Sequence, residues 1–82
     1  MNKPFRTTKQ RIRDVIETMR HSGRKISHIC RSANMNYPEA MKIIDPLIAK
    51  GYVHKYRKTE HMFKGQMELY ELTYDGREHF FG

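Results

Sequence analysis

Little in this sequence points to secretion, to a membrane or to catalysis. It holds one cysteine, Cys30. No disulfide can form within the chain, which fits a reducing, intracellular and cytoplasmic setting, nucleoid-associated if the partner is DNA. No apolar run approaches the ~18 residues that a membrane-crossing helix needs. The opening stretch, MNKPFRTTKQRIR, lacks the apolar core of a secretory leader. Acidic residues are scarce, 9 against 16 Lys and Arg, for a formal net charge of +7. That imbalance favours a polyanionic partner, nucleic acid before a membrane surface, because no helix is uniformly basic on one face. There is no nucleophile–base pairing and no glycine-rich phosphate loop, so no enzyme, cofactor or small-molecule substrate is expected. The five histidines do not supply a metal site either: His28 and Cys30, two apart on a helix, point in different directions, and His21, His54, His61 and His79 have no ligand spacing.

What is present is economical. Eighty-two residues make one domain, with no repeat, low-complexity tract or linker. Thr7 or Thr8 can cap a first helix, Thr7-x-x-Gln10 giving a capping-box pattern, and Ile12, Val15, Ile16 and Met19 follow at amphipathic spacing. Lys9, Arg13, Glu17 and Arg20 form the outward face, with Arg13 and Glu17 placed for an i,i+4 pair. His21-Ser22-Gly23 ends this helix, and Lys25-Ile26 can donate one short pairing edge. Ser27 is placed to cap a second, short helix, which the turn Asn34-Met35-Asn36 closes. Asn36-x-x-Glu39 approximates a second capping box, Pro38 fits the first turn, and Ala40, Ile44, Leu47 and Ile48 recur at helical spacing up to a left-handed stop at Gly51. The period then changes to two. Tyr52 to Arg57 reads as a strand, Lys58 to Gln66 as a hairpin tip, and Met67 to Thr73 as the returning strand, after which Thr73 caps a short helix ending at Phe80-Phe81.

The order is helix, short strand, helix, helix, strand, wing, strand, short helix. This is a mainly α chain with a small antiparallel β-hairpin, the winged helix-turn-helix plan. Residues 1–7 read as a flexible basic arm and residues 8–82 as the domain.

Three further stretches carry a family resemblance over roughly residues 8–81. They are Ser27-x-Ile29 with Ala33-Asn34-Met35-Asn36-Tyr37, then Leu47-Ile48-Ala49-Lys50-Gly51-Tyr52-Val53, and Tyr70-Glu71-Leu72-Thr73-x-x-Gly76-Arg77-Glu78. Together they resemble the small archaeal winged-helix regulators found on chromosomes, plasmids and viruses. The resemblance implies a double-stranded-DNA-binding transcriptional regulator. Two departures stand out. Pro46 falls inside the recognition helix and should kink or split it by removing the hydrogen bond to the Lys42 carbonyl. Many relatives also extend the last helix into a dimerising segment, whereas this sequence stops at Gly82.

On this plan a recognition helix over 36–50 enters the major groove by its N-terminal residues, Asn36, Tyr37, Glu39 and Lys42. Asn can read adenine and Lys guanine, and Lys42 lies opposite the apolar face. Asn36 has a cap to make as well, and Tyr37 is placed to pack or to touch phosphate. Arg31 and Ser32 face away from Ile29 toward the backbone, and Ser27 sits at a helix N-terminus that favours an anion. The wing, 55–66, offers Lys55, Arg57, Lys58, His61 and Lys64 to phosphates or a minor groove. The arm brings Lys3, Arg6, Lys9, Arg11 and Arg13 before the first acid, Asp14. Paired half-sites imply a homodimer, with the first helix, Ile43 and Phe80-Phe81 as candidate interfaces. The alternative function is a protein-interaction module, or an RNA binder, using the same basic surface.

Overall fold

In the computed structural model, residues 6–59 and 66–82 are described. Helix α1 (Thr8–Thr18) opens with the full capping box: Thr7 Oγ1 accepts from the Gln10 N–H at 3.1 Å, and Gln10 Oε1 accepts from the Thr7 N–H at 2.8 Å. Its apolar stripe buries Val15 and Ile16, with Met19 buried just beyond. On its outer face Glu17 pairs at 3.4 Å with Arg20, three residues on, rather than with Arg13.

Helix α2 (Ile26–Ala33) starts two residues earlier than a Ser27 cap would allow. Its N-cap is Lys25, which makes no side-chain capping bond, and Ser27 lies exposed in the first turn. Ile26 packs against the core, so the helix must begin early enough to bring that side chain in. The short pairing edge is also one residue earlier than Lys25-Ile26: Arg24 and Tyr70 exchange both backbone hydrogen bonds, each at 2.9 Å. Asn34 ends α2 in the left-handed region (φ 55°, ψ 57°), a conformation that Asn tolerates better than most residues. The chain then reverses, and Met35 tucks against the core.

Helix α3 (Tyr37–Ala49) has Asn36 as its cap, the side-chain oxygen accepting from the Glu39 N–H at 2.9 Å. Only half of the capping box forms, because the Glu39 carboxylate turns to Arg11 on α1, 3.7 Å away. Pro46 does not split the helix, which runs unbroken to Ala49. Pro46 and Lys42 are both exposed, so the carbonyl left without a partner is on the wet side, where water can replace the missing N–H. Gly51, at φ 81°, makes the stop.

Strands β1 (Val53–Thr59) and β2 (Gln66–Leu72) pair antiparallel from Val53↔Leu72 to Thr59↔Gln66. β1 thus runs two residues into the stretch expected as tip and β2 begins at its last residue, Gln66; the tip residues between them, with His61, Lys64 and Gly65, lie outside the described residues. Thr73 joins two turns: its hydroxyl donates to the Gly51 carbonyl at 2.6 Å and accepts from the Gly76 N–H at 3.0 Å, opening α4 (Tyr74–Phe81). Gly76 lies so close to Tyr52 that an added Cβ would run into the Tyr52 carbonyl.

The core is one cluster drawn from every element except α4. Val15, Ile16 and Met19 meet Ile29 and Ala33, then Ala40, Ile44 and Leu47, and are closed by Val53, Tyr70 and Leu72. It holds α2 and α3 at a fixed angle under the hairpin.

Candidate nucleic-acid interface

Burial of Ala40, Ile44 and Leu47 forces the opposite face of α3 outward. That face presents Pro38, Lys42, Asp45 and Ala49 at i, i+4, i+7 and i+11, all exposed. Lys42 has no ionic partner among the described residues. Tyr37, 56% exposed, stands at the helix entrance. Glu39 lies to the side, half-buried against α1, so Arg11 offsets its charge before any ligand arrives.

Four of the expected residues come together. Ser27, Arg31, Asn36 and Tyr37 border one open groove between α2 and the start of α3, with Cys30 and Met35 among its lining. Its lining combines apolar Ile26, Cys30 and Met35 with the guanidinium of Arg31 and the amides of Asn34 and Asn36. Those are the chemistries that accept a base edge or a thymine methyl beside a phosphate. Ser32 lies apart from it, its hydroxyl 3.2 Å from His28 Nε2.

The wing cations divide between two faces. Register places Lys55 opposite Tyr70 and Arg57 opposite Glu68, on the face that Val53 and Leu72 turn toward the core. Arg57 pairs with Glu68 at 3.7 Å across the strands. Lys58 is on the other face, with His54, which binds Glu71 at 3.0 Å and stacks on Tyr56. Lys55 and Lys58 are exposed and have no ionic partner among the described residues. Between α3 and β2, burial pushes the Tyr70 hydroxyl above its ordinary value of 10.0, and the negative charge of Tyr37, Glu68 and Asp45 raises it further.

Sequence reasoning did not foresee the role of Arg6. Its guanidinium donates to Asp14 at 2.6 Å and to the Ala33 and Asn34 carbonyls at 2.7 and 2.8 Å. It therefore clamps the end of α2 to α1 next to the turn, and no local pattern could signal partners so distant in the chain. Among the described residues no three His, Cys, Asp or Glu side chains gather as a metal site, and no helix is long and apolar enough to cross a membrane.

Comparisons with known proteins agree with this architecture. No curated protein sequence matches the chain. Among solved structures it is similar to Sso10a-2, a DNA-binding protein from Sulfolobus solfataricus, at 26% identity and a TM-score of 0.67, covering 89% of this chain and 70% of that one. The family model described as winged helix-turn-helix matches residues 6–80. With helix, turn, helix and hairpin all in place, the chain belongs to the winged helix-turn-helix family.

Proposed function

We propose that the chain is a sequence-specific double-stranded-DNA-binding transcriptional regulator that acts inside the cell. The N-terminal half of α3 enters the major groove, led by Lys42, with Asn36 and Tyr37 at its edge. Arg31, Ser27 and Ser32 of α2 lie along the phosphate backbone. Lys55, Arg57 and Lys58 follow the backbone or the minor groove, and His61 and Lys64 are read as joining them. Glu39 orients Arg11 next to the reading helix. Family membership and the DNA-binding neighbour support DNA as the partner. The observation that carries the reading is the uncovered face of α3, with Lys42 unpaired on it beside the groove bordered by Arg31, Asn36 and Tyr37. Two copies on adjacent half-sites provide the length of sequence that one short helix cannot read alone.

Selection of bound duplexes from a random pool tests this. The expected product is a motif repeated with two-fold symmetry, at a half-site spacing near one helical turn of DNA, about 10 base pairs. Tight recovery without any motif would replace sequence-specific regulation with general DNA binding. A second reading rests on the balanced charge of the exposed α3 face, where Asp45 lies one turn from Lys42: the same face docks a protein. Failure to retain any duplex, together with capture of a protein that the K42A variant loses, would decide for it.

A further inference from the structure

The geometry points to a second binding surface, on the side formed by α1 and α4, that takes an acidic amphipathic helix of another protein. Ile12 on α1 and Phe80 and Phe81 at the end of α4, all half-buried, line an apolar groove whose base reaches the buried Ile16. Along its α1 edge stand Lys9 and Arg13, one turn apart and both exposed. Farther along α1, the Arg20 guanidinium lies 4.6 Å over the Phe81 ring, its charge shared with Glu17, so the free cations of the edge are Lys9 and Arg13. The acids of this neighbourhood are placed elsewhere: Glu17 is paired with Arg20, and Glu78 lies on the far side of Phe81 with Arg20, His21 and Arg77.

The groove runs along about two turns of α1, from Thr8 to Ile16, and with cations one turn apart on its edge it matches a short helix with apolar residues at i, i+3, i+4 and i+7 and carboxylates beside them. Charge chooses the occupant. A second copy docking two-fold on this groove would set Lys9 and Arg13 against themselves. Nor is there a complementary apolar stripe among the described residues, where the exposed large hydrophobics, Tyr37 and Tyr74, stand singly. The surface uses neither α3 nor the wing, so the reading of those elements as a DNA interface can fail without affecting it.

A synthetic helical peptide of about 16 residues, with leucines at that spacing and glutamates between them, is the probe. Titrated into the full chain and followed by amide NMR, it should shift resonances in residues 8–20 and 74–82 and leave α3 and the wing unchanged. The double variant K9E/R13E should weaken binding about tenfold or more. Both positions are exposed, so this arm does not depend on a tolerated core change, and F81A with a thermal melt gives the apolar arm. Equal binding of the same peptide with lysine for glutamate would overturn the inference, as would shifts centred on α3 or displacement of the peptide by duplex DNA. Concentration-dependent shifts of residues 8–20 and 74–82 without peptide would overturn it too, by giving the groove to a second copy.

Discussion

The guanidinium of Arg6 joins three parts of the chain: Asp14 in the middle of α1, and the last carbonyls of α2 at Ala33 and Asn34. Those carbonyls lie at a helix C-terminus, where free acceptors and the helix dipole favour a cation. R6A should therefore lower stability by about 1–2 kcal/mol in urea unfolding, a figure already reduced because the side chain is 30% exposed. D14N should lose less, since both carbonyl bonds remain. Sequence alone marked Arg6 only as one charge in a basic arm. Its partners lie up to 28 residues away, a range that capping and periodicity rules do not reach. Tyr70 provides a second residue-scale test. Its folded-state hydroxyl titrates above the unfolded value of 10.0 because the buried ring disfavours the phenolate. The folded chain thus holds this proton more tightly than the unfolded chain does. The stabilisation is complete below pH 10 and is lost as pH rises through the folded value. Stability measured from pH 9 upward should fall more steeply in the wild type than in Y70F. Parallel curves would remove Tyr70 from the alkaline transition.

Helix boundaries set by capping chemistry were legible where the cap itself decides them, as at Thr7, Asn36 and Thr73. Ser27 misled because burial of Ile26 outweighed a free hydroxyl: a serine in the first turn of a helix looks the same in sequence as one at its cap. Pro46 misled differently. The proline carries its cost without breaking the helix, because the gap opens outward to water and burial of Ala40, Ile44 and Leu47 holds the helix on either side of it. P46A should restore the missing bond and raise stability by about 1–3 kcal/mol, leaving the amide spectrum of residues 36–42 nearly unchanged. A loss of stability on this replacement would mean that the proline ring has a packing role. The seam between hairpin and last helix was only partly legible, since an isolated Gly76 announces a close approach without naming its neighbour. The neighbour is the Tyr52 carbonyl, which accepts from Thr73 at 3.0 Å and cannot move without breaking that bond. G76A should cost about 1–3 kcal/mol and detach α4, seen as lost protection of the Thr73 and Arg77 amides.

The net charge of +7 is unevenly placed over the whole molecule. Among the described residues Arg6, Arg11, Arg20 and Arg57 each face an acid within 4.0 Å, so part of their charge is offset within the chain, least for the exposed Arg57. The exposed stripe of α3 carries one lysine and one aspartate, which leaves the reading helix nearly neutral. On the proposed DNA-binding reading, phosphate neutralisation then comes mainly from the flanks, from Lys55 and Lys58 of the hairpin and from Arg31 on α2. Fold and charge sign were readable from the sequence because both follow from local pattern and composition. The division of those cations into paired and free was not, because it depends on which helix an acid such as Glu39 turns toward. The division has a measurable consequence. In a titration of a labelled duplex at increasing salt, each phosphate contact contributes about 0.9 to the slope of log affinity against log salt. The K55A/K58A variant should lower that slope by about 2 and weaken all duplexes alike. K42A should leave the slope nearly unchanged and cost about 1–3 kcal/mol only on the preferred duplex, narrowing the gap to unrelated sequences. If the two variants lost affinity equally on every duplex, Lys42 would be one more phosphate contact. Sequence choice would then have to come from the α2–α3 groove instead.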